Sequence, residues 1–162
     1  MDETCWVQQA VGRFFHGRKS PTQEQCDQIA RSVSGAPNVY NVGTPGSMSY
    51  TVICKHDDIP TSEKPVVVVS FREPEAHIDQ TLSELAQTIH GNHLVPQVSQ
   101  RGVVDGSEPP LSIYAMSYLP GISCLDAGPC QVEMDEATEA KYVVFVRHLG
   151  RLVYRFPFQS SG

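Results

Sequence analysis

Pro65-Val66-Val67-Val68-Val69-Ser70-Phe71-Arg72-Glu73 reads as a buried strand, and residues 74–90 behind it follow a helical pattern. Four consecutive valines are too apolar for a strand with one wet face, so the segment is expected at the centre of a sheet, covered on both sides. The strand itself is expected over residues 66–71 and a helix over residues 78–89. Within that helix Leu82, Leu85 and Ala86 share one face while Gln80, Ser83 and Gln87 lie opposite, so the leucines are expected against the sheet.

Upstream, the pattern changes at Asn38 from helical to alternating. Val39-Tyr40-Asn41-Val42 and residues 50–54 are strand-like, and Thr44-Pro45-Gly46-Ser47-Met48-Ser49 between them is a turn, which makes a hairpin with a pliable tip. A polar loop over residues 55–64, holding Pro60, leads to the valine strand. Ahead of the hairpin, Trp6, Val7, Ala10, Val11, Phe14 and Phe15 form one helical stripe over residues 3–16, closed near Gly17. Ser20 is positioned to cap a second helix, with Pro21 in its first turn and Gln23 completing a capping box; Cys26, Ile29, Ala30 and Val33 follow on one face as far as Gly35.

Downstream, Gly91-Asn92 ends the central helix, and strands over residues 97–104 and 111–118 are joined by an Asp105-Gly106-Ser107-Glu108 turn. Leu119-Pro120-Gly121 then breaks the chain into an irregular segment reaching Val132. Ala137, Ala140, Val144, Leu149 and Leu152 mark a final helix over residues 135–156, stopped by Pro157. The expected architecture is α+β: a five-stranded antiparallel sheet with one packed helix, two N-terminal helices and a C-terminal helix. Residues 1–36 form a helical extension, residues 37–130 the sheet and its helix, and residues 131–162 the last helix, all in one compact domain.

Composition narrows the partners. The 162 residues are 40% hydrophobic and 19% charged, which is ordinary for a globular chain with one core. A formal charge of -6, and no basic run longer than Arg18-Lys19, argue against a nucleic-acid surface. Cysteines at positions 5, 26, 54, 124 and 130 are odd in number and contain no C-x-x-C, so no disulfide framework or zinc ribbon is indicated and a reducing, cytoplasmic setting is expected. Met1-Asp2-Glu3-Thr4-Cys5-Trp6 is followed by no apolar core of a signal peptide, and no membrane span is expected.

Two helices, a hairpin with a Gly/Ser tip, a third strand, a helix, a second hairpin and a Pro-Gly break follow in an order that resembles the N-terminal lobe of the kinase-like fold. Ser49-Tyr50-Thr51-Val52, Phe71-Arg72, Leu94-Val95-Pro96 and Leu111-Ser112-Ile113-Tyr114-Ala115-Met116-Ser117-Tyr118-Leu119-Pro120-Gly121 sharpen this to a resemblance to the aminoglycoside phosphotransferase and choline kinase family, its fungal branch in particular. The likeness covers about residues 20–156. It makes the helix after the third strand the counterpart of the αC helix.

The resemblance implies an ATP site. Gly46, Ser47 and Ser49 would lie over the phosphates, since small residues let backbone N–H groups approach an anion; the plain alternative is a hairpin turn. Ser117, Tyr118 and Leu119 would be the hinge that meets the adenine edge. Where the family carries a Lys or Arg near the end of the third strand, this chain has Ser70. Arg72, two residues on and on the same face, is the substitute for the anion contact, unless it is simply a surface arginine at a strand end. Asp79 is the better candidate for the paired acid on the helix, ahead of Glu84.

The family's transfer machinery, a His-x-Asp-x-x-x-x-Asn loop and a separate metal-binding Asp, would come from a C-terminal lobe. His56-Asp57-Asp58 and His77-Ile78-Asp79 reproduce the first part of that spacing but put Glu63 and Glu84 where the Asn should stand. His90 and His93 resemble a metal pair without a third ligand nearby, and no protein-held metal is expected. Three readings follow. The first is a stand-alone N-lobe that cannot transfer phosphate by itself: a truncated gene product, an excised piece, or half of an enzyme completed by a second chain, either another copy or a separate C-lobe. The second is a degenerate, pseudokinase-like module that holds a small ligand or a partner. The third is a repurposed enzyme using Arg72, Glu73, His77 or Asp79 for acid–base chemistry.

Overall fold

A computed structural model of the chain describes residues 3–56, 65–121 and 136–154. The chain divides into two units, Met1–Pro120 and Gly121–Gly162. Several sequence expectations lie outside the described residues: the Asp57-Asp58 and Glu63 spacing, Cys124 and Cys130, the irregular segment to Val132 and the stop at Pro157.

The first unit holds helices α1 (Glu3–Phe15) and α2 (Gln23–Ser34) and strands β1 (Asn38–Asn41), β2 (Ser49–Lys55) and β3 (Val67–Arg72). A 3-10 turn at Pro74–Ala76, helix α3 (Gln80–His90) and strands β4 (Val98–Val103) and β5 (Ser112–Ser117) complete it. The five strands form one antiparallel sheet in the order β1-β2-β3-β5-β4, so the valine strand is central, as its composition requires. The molecule is therefore α+β with a five-stranded antiparallel sheet.

Alternation along the strands decides which residues meet the N-terminal helices. Tyr50, Val52 and Cys54 of β2, Val69 and Phe71 of β3 and Ile113 of β5 all point to one face and are buried. Val11 and Phe14 of α1 and Cys26 and Ala30 of α2 close over them to make the core. Tyr50 lies at its centre: its ring stacks near Phe71 at 6.1 Å and meets Phe15 edge-on at 5.0 Å. Its hydroxyl donates to Asp27 at 2.7 Å and accepts from Gln23 at 3.3 Å, so the buried phenol is satisfied by α2.

Helix α2 starts two residues later than Ser20 and Gln23 suggest. Thr22 is the cap: Thr22 Oγ1 accepts from the Gln25 N–H at 3.3 Å, and Gln25 Oε1 accepts from the Thr22 N–H at 2.8 Å. The sequence offers the same Ser/Thr-x-x-Gln box twice in overlapping registers. The later one is used because Pro21 is fully buried ahead of the cap and anchors the chain there.

The largest departure is the rotation of α3. The helix lies beside β4, yet Leu82 is 63% and Leu85 48% exposed, and the half-buried positions are Ser83, Ala86, Gln87 and His90. The polar face thus turns inward. Its phase is set at its ends: Ile78 N–H donates to the Tyr114 hydroxyl at 3.2 Å, Asp79 caps the first turn, and Gly91, at φ 80, closes the last by donating to Gln87 O at 2.7 Å. Leu82→Gln and Leu85→Gln are accordingly expected to shift the unfolding free energy by less than about 0.5 kcal/mol each in urea titration. A loss of about 2 kcal/mol or more would return these leucines to the core.

In the second unit α4 runs Glu136–Tyr154. Its described side chains are exposed, among them Val143, Val144 and Val146. Among the described residues no helix is long and apolar enough to cross a membrane.

Candidate functional site at the end of the central strand

On the face of the sheet away from α1 and α2, Ser70 and Arg72 of β3 lie beside Thr51 of β2 and Tyr114 of β5. Ser70 pairs across to Thr51 on one side and Tyr114 on the other, and Arg72 sits between Ser49 and Ser112. Ser70 is completely buried and Tyr114 nearly so. Their polar atoms are therefore obliged to find partners. The Ser70 and Thr51 hydroxyls share a hydrogen bond of 2.8 Å, and the Tyr114 hydroxyl accepts from Ile78 N–H.

Ser70 is therefore not presented to a ligand in the way a strand-end cation would be. It acts on Arg72 instead. Arg72 Nε donates to Ser70 Oγ at 3.1 Å and its Nη1 donates to Ala76 O at 3.2 Å, which pins a half-buried guanidinium against the strand. Among the described residues no carboxylate pairs with it. Burial lowers the Arg72 pKa from its ordinary value, with Tyr114 opposing; an arginine nevertheless stays charged under any working condition. An oriented positive charge, partly desolvated and without a counterion, favours an anion.

The turn between β1 and β2 adjoins this group, because Ser49 is the cross-strand partner of Arg72 and Glu73 N–H donates to Met48 O at 3.1 Å. Gly46 and Ser47 are exposed at its tip. A Cβ on Gly46 would stand 2.7 Å from Ser49 Oγ, so a larger residue there would turn the Ser49 hydroxyl aside. Gly46, Ser47, Ser49 and Arg72 are thus gathered at one end of the sheet.

Ser117, Tyr118 and Leu119 are at the other end, since Ser117 pairs with Val67 while Arg72 pairs with Ser112. Five residue steps separate the two rows, about 17 Å of strand. The Ser117 N–H donates to Gln97 O at 3.0 Å and the Tyr118 N–H to Val66 O at 3.4 Å, so these two donors serve the fold. The Leu119 N–H has no such partner among the described residues. An open groove of about 470 Å³ lies at this end, lined in part by Val66, Val67, Val98, Ala115, Met116 and Ser117.

The acids fall elsewhere. Asp79 is the cap of α3, accepting from Leu82 N–H at 3.1 Å, and does not reach Arg72; Glu84 is exposed on the same helix. Its carboxylate serves the helix terminus, where it opposes the positive end of the dipole. Glu73 is bound in an ion pair with Arg18, a residue to which sequence reasoning assigned no role. The two are 55 positions apart, so no local spacing could have joined them. Glu73 and Asp79 are thus engaged with Arg18 and with the α3 terminus, and His77 is exposed. Among the described residues no three His, Cys, Asp or Glu side chains come together as metal ligands, and Cys26 and Cys54 are buried free thiols.

No family model, curated protein or solved structure matches this chain.

Proposed function

We propose that the chain is the nucleotide-facing half of a small-molecule kinase of the aminoglycoside phosphotransferase type, which binds the phosphates of ATP and does not transfer phosphate by itself. The observation that carries the reading is Arg72: a guanidinium oriented by Ser70 and Ala76, without a carboxylate among the described residues, beside a Gly/Ser turn. About 17 Å of strand separates the Arg72 row from the Ser117 row, whose side chains face opposite sides of the sheet, so a nucleotide with its phosphates toward Gly46 would meet the Leu119 end through main chain at the edge of the sheet. The donor set fits a triphosphate, whose oxygens need N–H groups and a fixed cation.

ATP would supply the transferable phosphoryl group. This chain's residues would bind and orient it: Arg72 as the fixed charge, backbone of Gly46 and Ser47 as close-approach donors, and the Leu119 N–H as a donor to the purine. The carboxylate that orients an acceptor hydroxyl would have to come from a second chain or a second lobe. The cytoplasm is the compartment this reading takes, supported by the free thiols of Cys26 and Cys54.

Calorimetric titration with ATP and magnesium tests it. Binding in the micromolar to submillimolar range is expected, weakened at least tenfold in Arg72→Ala, with no ATP turnover by either protein. Turnover that disappears in Arg72→Ala would make the chain an enzyme in its own right. Absence of heat at millimolar ATP would favour a second reading, a degenerate kinase-like binding module, to which one observation already points: Ser70 is buried where the resemblance calls for a cation.

A further inference from the structure

A buried guanidinium is tolerated when a carboxylate and further acceptors surround it. Arg18, in the turn after α1, meets that condition in part: its side chain is only 7% exposed, and its Nη1 is buried without a hydrogen-bond partner among the described residues. It pairs with Glu73, its Nε donates to Phe14 O at 2.9 Å, and its guanidinium carbon lies 4.7 Å from the centre of the Phe14 ring. Through Phe14 it is tied to the core of α1, and through Glu73 to the residue that follows Arg72.

Glu73 is a crossing point. Its side chain takes Arg18, its N–H donates to Met48 O in the β1–β2 turn, and its carbonyl accepts from Ala76 N–H at 2.9 Å. Ala76 O in turn accepts from Arg72 Nη1. The turn that holds Gly46 and Ser47 and the guanidinium of Arg72 are therefore both linked to one residue, and that residue is held from outside the sheet by Arg18.

We propose that Arg18 is a positioning residue for the anion site: by gripping Glu73 it fixes the Gly46–Ser47 turn and the Arg72 guanidinium relative to one another. The N-terminal helices thus set the geometry of a site they do not touch. This inference rests on reading that site as a phosphate site.

The test separates positioning from mere stability. Arg18→Met combined with Glu73→Leu replaces the ion pair by an apolar pair of similar size, an exchange that commonly leaves stability near that of the parent. The full chain is titrated calorimetrically with inorganic tripolyphosphate. The double variant is expected to bind at least tenfold more weakly at an unchanged urea midpoint, and the difference is expected to vanish in an Arg72→Ala background. Wild-type affinity in the double variant overturns the proposal. Arg18→Leu combined with Glu73→Met, which removes the pair with the apolar side chains exchanged, serves the same comparison if the first double variant does not fold.

Absence of tripolyphosphate binding by the wild type instead removes the phosphate reading, and hydrogen exchange then decides the positioning role. The Glu73 amide, bonded to Met48 O, is expected to exchange at least tenfold faster in the variant, while the Tyr118 amide at the far end of the sheet is unchanged. Equal rates at Glu73 overturn it.

Discussion

Phe71→Ala is expected to lower the unfolding free energy by about 3–5 kcal/mol. Phe71 has no exposed surface, and it lies on the central strand with β2 on one side and β5 on the other. Its ring stacks on Tyr50, which meets Phe15 edge-on and lies 6.3 Å from Phe14. Truncation therefore removes the transfer free energy of a buried phenyl group, leaves a cavity between the sheet and the N-terminal helices, and loses an aromatic contact worth about 0.5–1.5 kcal/mol. Against a total stability of about 5–15 kcal/mol, that is a large fraction. Urea unfolding followed by circular dichroism measures it. A loss below about 1.5 kcal/mol would mean that the helices collapse into the space.

The second large effect is a loss of stability in alkali. Burial raises the Cys26 thiol to about 12 from 9.0, with the Asp27 carboxylate adding to the shift and Arg18 opposing it. Burial also raises Cys54 and Tyr50; for Tyr50 the hydrogen bond to Asp27 and that residue's charge push the same way. All three groups keep their protons longer in the folded chain than in the unfolded one. Their contribution is fully present below the unfolded values, 9.0 for the two thiols and 10.0 for the phenol, and is lost as pH rises toward the folded values, because the unfolded state then binds fewer protons. Each group can cost up to about 1.4 kcal/mol per pH unit in that window. The urea midpoint is expected to show no decline from these groups between pH 7 and pH 8.5 and to fall steeply from about pH 9.5 upward, less steeply in Cys26→Ala. A midpoint that is flat to pH 11 would contradict the burial of these groups.

The arrangement of α3 bears on both the fold and the site. A stripe of Leu82 and Leu85 on a helix next to a sheet reads as core, because in most helices the apolar face is the buried one. Here the segment from Glu73 to Asp79 is tied down first, by Arg72 to Ala76 and by Ile78 to Tyr114, and the helix leaves it with its phase already set. The existence and length of α3 were legible from its periodicity. Its rotation was not, since the bonds that set it come from β3 and β5.

The candidate site divides in the same way. Arg72 at the end of the valine strand and the Gly46-Ser47 turn are visible in the sequence, and antiparallel pairing of β2 with β3 brings them together. The burial of Ser70, its bond to Thr51 and its service to Arg72 depend on which residues of three strands share a row. Asp79 illustrates the limit from the other side: an acid of the right type near the right helix is used by that helix's own N–H groups.

What the amino-acid sequence determined by itself is local in origin: alternation and valine content make β3 central, and turn residues delimit the hairpins to within a residue or two. The α+β class follows, because those patterns are written in neighbours along the chain. What only the tertiary structure decided is the rotation of α3, the later start of α2 at Thr22, and the Arg18–Glu73 pair that braces the strand on which everything else was hung. Each of these depends on groups distant in sequence, or on a choice between equivalent local registers, which the pattern of neighbours along the chain does not encode.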